Sequence, residues 1–80
     1  MLYTTDEGMQ RAEQLARRSH IDLDKEDLAF LAAVDIIETY PMQDAYDLAN
    51  RVPFLSGDAW YRTKVVKGWI EEGLLEKGKG

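Results

Sequence analysis

The chain has 80 residues, no cysteine and a formal net charge of −5. This length allows one domain with a modest core, so we expect a single domain over residues 1–80. The lack of cysteine excludes disulfides and thiolate metal sites, and no apolar run approaches the roughly 20 residues of a membrane span. The N-terminal segment does not have the pattern of a signal peptide, and we expect a cytoplasmic protein.

The charge is divided unevenly along the chain. Residues 1–50 carry 4 basic and 11 acidic side chains, whereas residues 51–80 carry 6 basic and 4 acidic side chains. Neutralisation of phosphates by Lys and Arg drives most nucleic-acid affinity. The composition therefore disfavours an extended nucleic-acid surface but permits a local basic patch in the last third of the chain.

The first predicted helix belongs to an N-terminal extension, residues 1–20. Thr4 is predicted to cap it, with Glu7 three residues later completing a capping box, and the apolar stripe continues to about Arg18. Leu15 lies on that stripe. Because the stripe is narrow, we expect this helix to pack on the rest of the domain through few side chains.

The second predicted helix has the clearest boundaries. Asp24 is a good N-cap, residues 25–40 have helical apolar periodicity, and Pro41 stops the helix. The residues of its broad apolar face are Phe30, Ala33, Val34, Ile36, Ile37 and Tyr40. Leu28 and Leu31 lie off this face, so we expect them to receive the first helix. The first helix is also the predicted dimer element, and the predicted dimer or partner contacts are Leu15, Leu28 and Leu31.

Two more helices and a strand are predicted in the second half. The third helix spans about residues 43–52. Phe54 and Leu55 are expected to fill the core within the turn, and Ser56 is expected to cap a fourth helix over about residues 57–72. The residues predicted on the inner face of this helix are Ala59, Val66, Trp69 and Ile70. A glycine then stops the helix, and residues 74–77 are long enough for a short strand.

Residues 24–77 thus have the order of a helix-turn-helix core, in which the third helix braces the fourth. The fourth helix directs Trp60, Lys64 and Lys67 outward, which suits phosphate and groove contacts. Arg62 lies nearer its inner edge, where it can reach solvent or brace the turn. The predicted DNA contacts are Trp60, Tyr61, Arg62, Lys64, Lys67, Lys77 and Lys79. In the alternative interpretation, Trp60 tucks under Phe54 or the first helix as core, and the lysines are ordinary solvated side chains.

Three motifs between about residues 28 and 77 resemble the winged-helix superfamily of bacterial and archaeal regulators. A helix ending at Tyr40-Pro41 is followed by a short helix at residues 44–49. The run AWYRT at residues 59–63 is similar to the TVYRT opening of the recognition helix in ferric-uptake-type repressors. The run WIEEGLLEK at residues 69–77 is similar to the LEEEGLIEK that leads into the wing of such proteins.

The resemblance implies a mostly α, four-helix fold that is winged-helix-like, with a short C-terminal strand or truncated wing. It also implies a DNA-binding transcriptional regulator that reads double-stranded DNA with residues 57–72. Because one such helix makes few phosphate contacts, we expect the regulator to act as a homodimer. No catalytic signature, phosphate loop or metal-ligand spacing is present, so we expect no enzyme activity, cofactor or metal.

An alternative from another class remains open. The same scaffold can serve as a protein-interaction module, such as a phage or mobile-element inhibitor of the anti-CRISPR kind. In that case the acidic surface of residues 22–47 engages a basic protein partner, and Trp60 anchors the contact.

Overall fold

The structure, a computed structural model, describes residues 1–78. The α-helices and strands in chain order are β1 (Leu2–Thr4), α1 (Asp6–Ala16), α2 (Lys25–Thr39), α3 (Ala45–Arg51), α4 (Ala59–Glu71) and β2 (Leu75–Lys77), and a short 3-10 helix (His20–Asp22) connects α1 to α2. The predicted mostly α fold, with four helices and a short C-terminal strand, is confirmed. No helix among the described residues combines the length and apolar character that a bilayer crossing demands.

The predicted C-terminal strand, β2, pairs with the N-terminus of the chain. β1 and β2 run antiparallel, with Tyr3 opposite Glu76 in the register. On its other side, the Leu2 N–H donates to the Met42 carbonyl oxygen at 2.8 Å. β1 therefore lies between β2 and the segment that follows α2. This strand was not predicted from the sequence.

The predicted start of α1 was wrong by one residue. Thr5 is the N-cap, and its hydroxyl oxygen accepts a hydrogen bond from the Gly8 N–H at 3.0 Å. Thr4 belongs to β1, so the capping box predicted from it does not form. The helix ends at Ala16, before the predicted end at Arg18.

The boundaries predicted for α2 are confirmed to within a residue. The Asp24 carboxylate accepts a hydrogen bond from the Asp27 N–H at 2.7 Å, and the helix ends at Thr39. The ring of Phe30 meets that of Trp69 edge to face, with 5.3 Å between the centroids, which packs α2 on α4. The buried side chains of α2 are Ala29, Phe30, Ala33 and Val34.

The fourth helix begins later than predicted. Asp58 is its N-cap and accepts a hydrogen bond from the Tyr61 N–H at 2.9 Å, so Ser56 does not cap it. Gly57, between these two residues, has a φ of +100°, which glycine adopts more readily than other residues do. It turns the chain before the helix starts. Ala59, predicted on the inner face of α4, is exposed.

The connection between α3 and α4 differs from the prediction in its aromatic residue. Asp44 caps α3, which is shorter than the predicted residues 43–52. Leu55 is half-buried against the core, as predicted, but Phe54 is 52% exposed. Phe54 has a φ of +74°, in the left-handed region that a bulky residue rarely adopts. This backbone conformation accompanies the outward position of its ring.

The core unites the four α-helices and the two strands. Each of them contributes at least one buried apolar side chain, among them Leu2, Leu15, Phe30, Leu48, Val66, Trp69 and Leu75. α3 and α4 pack closely in the half of the molecule that carries the predicted DNA contacts.

Candidate nucleic-acid interface

One outward face of α4 brings three of the predicted contacts together. Trp60, Lys64 and Lys67 are spaced by four and three residues, so they lie above one another on the helix. Together with Thr63 they line a surface depression of about 270 Å³. These four residues are called the α4 face below.

Trp60 supplies the aromatic ring of the α4 face, and it is the most exposed aromatic residue among those that the structure describes. Its exposed fraction is 70%, and Phe54, which was considered as a cover, is itself exposed. The alternative in which Trp60 belongs to the core is therefore wrong. By contrast, Trp69, the other tryptophan, is buried at 3% exposure.

The Lys64 side chain is held against the indole. Its Nζ lies over the Trp60 ring, 4.9 Å from the ring centroid, which is cation–π geometry. At an exposed site such a contact is worth about 0.5–1 kcal/mol. The Thr63 hydroxyl donates to the Ala59 carbonyl oxygen at 2.6 Å within the helix. The polar character of the α4 face thus comes from its two ammonium groups.

Arg62 lies away from the α4 face and joins α4 to α3. Its Nη2 donates to the Val52 carbonyl oxygen at 2.8 Å, at the C-terminal end of α3. Its Nε is buried and has no hydrogen-bond partner among residues 1–78. Of the two roles considered for Arg62, the structure shows that of a brace for the turn. Its predicted role as a DNA contact therefore has no support from this geometry.

The other predicted DNA contacts do not extend the α4 face. Tyr61 is half-exposed, and its ring lies against Gly57. Lys77 lines a separate depression, together with carboxylates that include Asp6 and Glu7. Lys79 lies outside the described residues. The compact positive site therefore consists of Lys64 and Lys67.

The start of α3 is acidic. Asp44 caps the helix, and the Asp47 carboxylate forms an ion pair with Arg51, with 3.3 Å between Oδ1 and Nε. Asp47 also accepts a hydrogen bond from the Gln43 N–H at 3.2 Å. The positive charge of the α4 face therefore does not continue onto the N-terminal end of α3.

The predicted dimer or partner contacts serve the monomer's own packing. Leu15 is 3% exposed and belongs to the core, so little of its surface is left for a second chain. Leu28 and Leu31 are partly buried against the same core. α1 packs on α2, as predicted.

From the sequence, Tyr40 and Phe54 were expected to face the core, and Tyr46 was only a weaker possible dimer contact. Tyr40, Tyr46 and Phe54 are each more than half exposed. The spacing of Tyr46 and Asn50 on the outer side of α3 was a usable signal, since both positions fall opposite its buried stripe. The residues around Phe54 give no sequence signal for its outward position, because this position accompanies a rare backbone conformation at Phe54.

Within residues 1–78, no group of three or more His, Cys, Asp and Glu side chains is arranged to hold a metal ion. Comparison of the chain with protein-family models, with curated proteins and with solved structures gives no match.

Proposed function

We propose that this protein is a small helix-turn-helix regulator that binds double-stranded DNA through the α4 face. The observation that carries the proposal is the grouping of an exposed indole with two lysines on one side of one helix. α3 supports that helix from behind, and the hydrogen bond from Arg62 to Val52 fixes the turn between them. A cytoplasmic location is part of this proposal.

Few phosphate contacts are available to one copy of the chain. Two lysines neutralise at most two phosphates, and the net charge of −5 opposes binding at longer range. A single copy is therefore expected to bind weakly. Useful affinity would come from two copies on half-sites about one helical turn apart, which makes a homodimer part of the proposal.

Titration of a labelled duplex of roughly 24 base pairs, about two helical turns, tests the proposal at low salt. Replacing Lys64 and Lys67 by Ala should weaken binding to every sequence. It should also lower the slope of log affinity against log salt, by about 0.9 for each phosphate contact that is lost. Both lysines are exposed, so the fold should persist.

A matched control removes the same charge elsewhere. Arg17 and Arg18 are exposed at the end of α1, and replacing both by Ala changes the net charge by the same amount. This variant should keep most of the affinity. If the unmutated chain does not bind duplex DNA at low salt, or if both double variants lose affinity equally, the α4 face is not a DNA site.

The second candidate is a protein-interaction module, such as a phage or mobile-element inhibitor of the anti-CRISPR kind that binds a basic protein. The specific observation in its favour is the acidic start of α3, where a helix-turn-helix protein would be expected to approach phosphates. The exposed aromatic rings add contact area of the kind found at protein interfaces.

Charge reversal separates the two candidates. Asp24 caps α2, so its replacement would also destabilise the helix. Asp22 and Glu26 are exposed nearby, and the structure gives them no capping role. Replacing both by Lys should abolish capture of a basic protein partner in the second candidate. In the DNA proposal it should leave duplex binding intact or strengthen it.

A further inference from the structure

Trp60 and Lys64 form one mixed apolar and cationic unit near the start of α4. Trp60 is the second residue of the helix, and Lys64 follows one turn later. The ammonium group lies 4.9 Å from the centroid of the indole ring. The two side chains therefore present an apolar surface and a hydrogen-bond donor to the same small area of a ligand.

The major groove of DNA offers one partner to each half of this unit. The C5-methyl group of thymine is the apolar group among the base edges there, and guanine presents two acceptors, O6 and N7. A Lys ammonium donates to those acceptors, whereas an apolar side chain contacts the methyl group. Because Trp60 is 70% exposed, its indole can meet a methyl group without rearrangement of the core.

The spacing within the unit suits neighbouring base pairs. Base pairs follow each other at about 3.4 Å along the helix axis. That rise is of the same order as the distance from the Lys64 ammonium to the indole centroid, so both groups can reach adjacent steps. We infer that Trp60 and Lys64 read a thymine next to a guanine. This inference rests on the proposed function and names the bases that the α4 face prefers.

A duplex suits this surface better than an unpaired strand. Proteins that bind single strands stack bases on the faces of exposed aromatic rings. Here the Lys64 ammonium lies over one face of the indole. Lys67, three residues further along α4, is left to contact a phosphate beside the groove.

Chemical substitution of the bases tests the inference. A random pool of duplexes of roughly 24 base pairs would first be selected for binding, and the enriched duplex would be resynthesised. Uracil in place of thymine removes only the methyl group, and 7-deazaguanine in place of guanine removes the N7 acceptor. Uracil should weaken binding by the unmutated chain about fourfold, the effect of leaving one methyl group unburied.

The variants should lose these sensitivities separately. Trp60→Ala should bind the thymine and uracil duplexes equally, and Lys64→Ala should not distinguish 7-deazaguanine from guanine. Tyr40→Ala is the matched control, because Tyr40 is a 58% exposed aromatic residue at the end of α2. It should discriminate between thymine and uracil as the unmutated chain does.

Three outcomes would refute the inference alone or with the proposed function, and a complete lack of duplex binding would refute both. Equal binding of thymine and uracil duplexes, a pool that does not enrich, or tighter binding to the unpaired strand would each refute base reading by this unit. Duplex binding that is insensitive to the substitutions would leave the proposed function standing. If no duplex binds at all, the proposed function fails as well.

Discussion

The close approach of α1 to the segment before β2 gives the sharpest prediction about stability. A Cβ atom added to Gly8 would lie 2.1 Å from the carbonyl oxygen of Leu74 and 2.9 Å from Cγ2 of Thr4. That carbonyl oxygen also accepts the hydrogen bond from the Thr5 N–H, at 3.1 Å. Because the nearest atom belongs to the backbone, it cannot rotate away. We therefore expect Gly8→Ala to push α1 away from β2.

The size of the effect follows from three contributions. Overpacking a well-packed site costs about 1–3 kcal/mol, and a weakened Thr5–Leu74 hydrogen bond adds about 1 kcal/mol. The higher helix propensity of alanine offsets about 0.5–1 kcal/mol of this loss of stability. The net loss is about 1–3.5 kcal/mol. For a domain of this length that loss lowers the melting temperature by roughly 5–25 °C.

The control is a glycine that has free space around its Cα atom. Gly68 lies within α4, and a Cβ added there would meet no atom within 4 Å. Gly68→Ala should therefore raise the free energy of unfolding by about 0.5–1 kcal/mol. Thermal unfolding followed by circular dichroism, with urea titrations in parallel, measures both variants. A Gly8→Ala variant as stable as the unmutated chain would refute the close approach of α1 to Leu74.

Three further predictions can be checked by urea unfolding. Leu2→Ala should lower the free energy of unfolding by about 2–4 kcal/mol because the Leu2 side chain is buried, whereas Tyr3→Ala, on the exposed side of β1, should lower it by about 0.5 kcal/mol. Equal losses would contradict the position of β1. Arg62→Met should cost about 1–2 kcal/mol through the lost bond to α3, and an unchanged midpoint would contradict its bracing role. Asp58→Ala should cost about 1 kcal/mol and Ser56→Ala close to nothing, and the reverse order would contradict the observed cap of α4.

The boundaries of α2 could be predicted because every signal for them is local. Asp24 supplies the cap within three residues of the group that it bonds, and Pro41 excludes a continued helix. The apolar period between them assigned Ala33 and Val34 to the buried face, where they lie. In the same way, the period of α4 correctly directed Val66 and Trp69 inward and Trp60 outward.

β1 could not be predicted because its evidence is not local. Three residues are too few for an alternating pattern, and their partners lie more than 70 positions along the chain. The N-cap of α4 was predicted wrongly for a different reason. Ser56 and Asp58 are both good capping residues, and the choice between them depends on the turn at Gly57.

The candidate site was predicted in part. Helical spacing brought Trp60, Lys64 and Lys67 together, as the structure has them. The same spacing could not show that Arg62 reaches back to Val52, because that contact depends on how α3 and α4 pack. Nor could it place Lys77, whose surroundings are set by the pairing of β2 with β1.

The two tryptophans offer the most direct measurement of where DNA binds. Their indole N–H signals would be followed by NMR while a duplex is added at low salt. If the α4 face binds DNA, the signals of the exposed Trp60 indole and of the Lys64 and Lys67 backbone amides will shift, while the signal of the buried Trp69 indole will stay in place. Unchanged spectra, or shifts confined to the acidic residues 22–47, would contradict DNA binding by the α4 face.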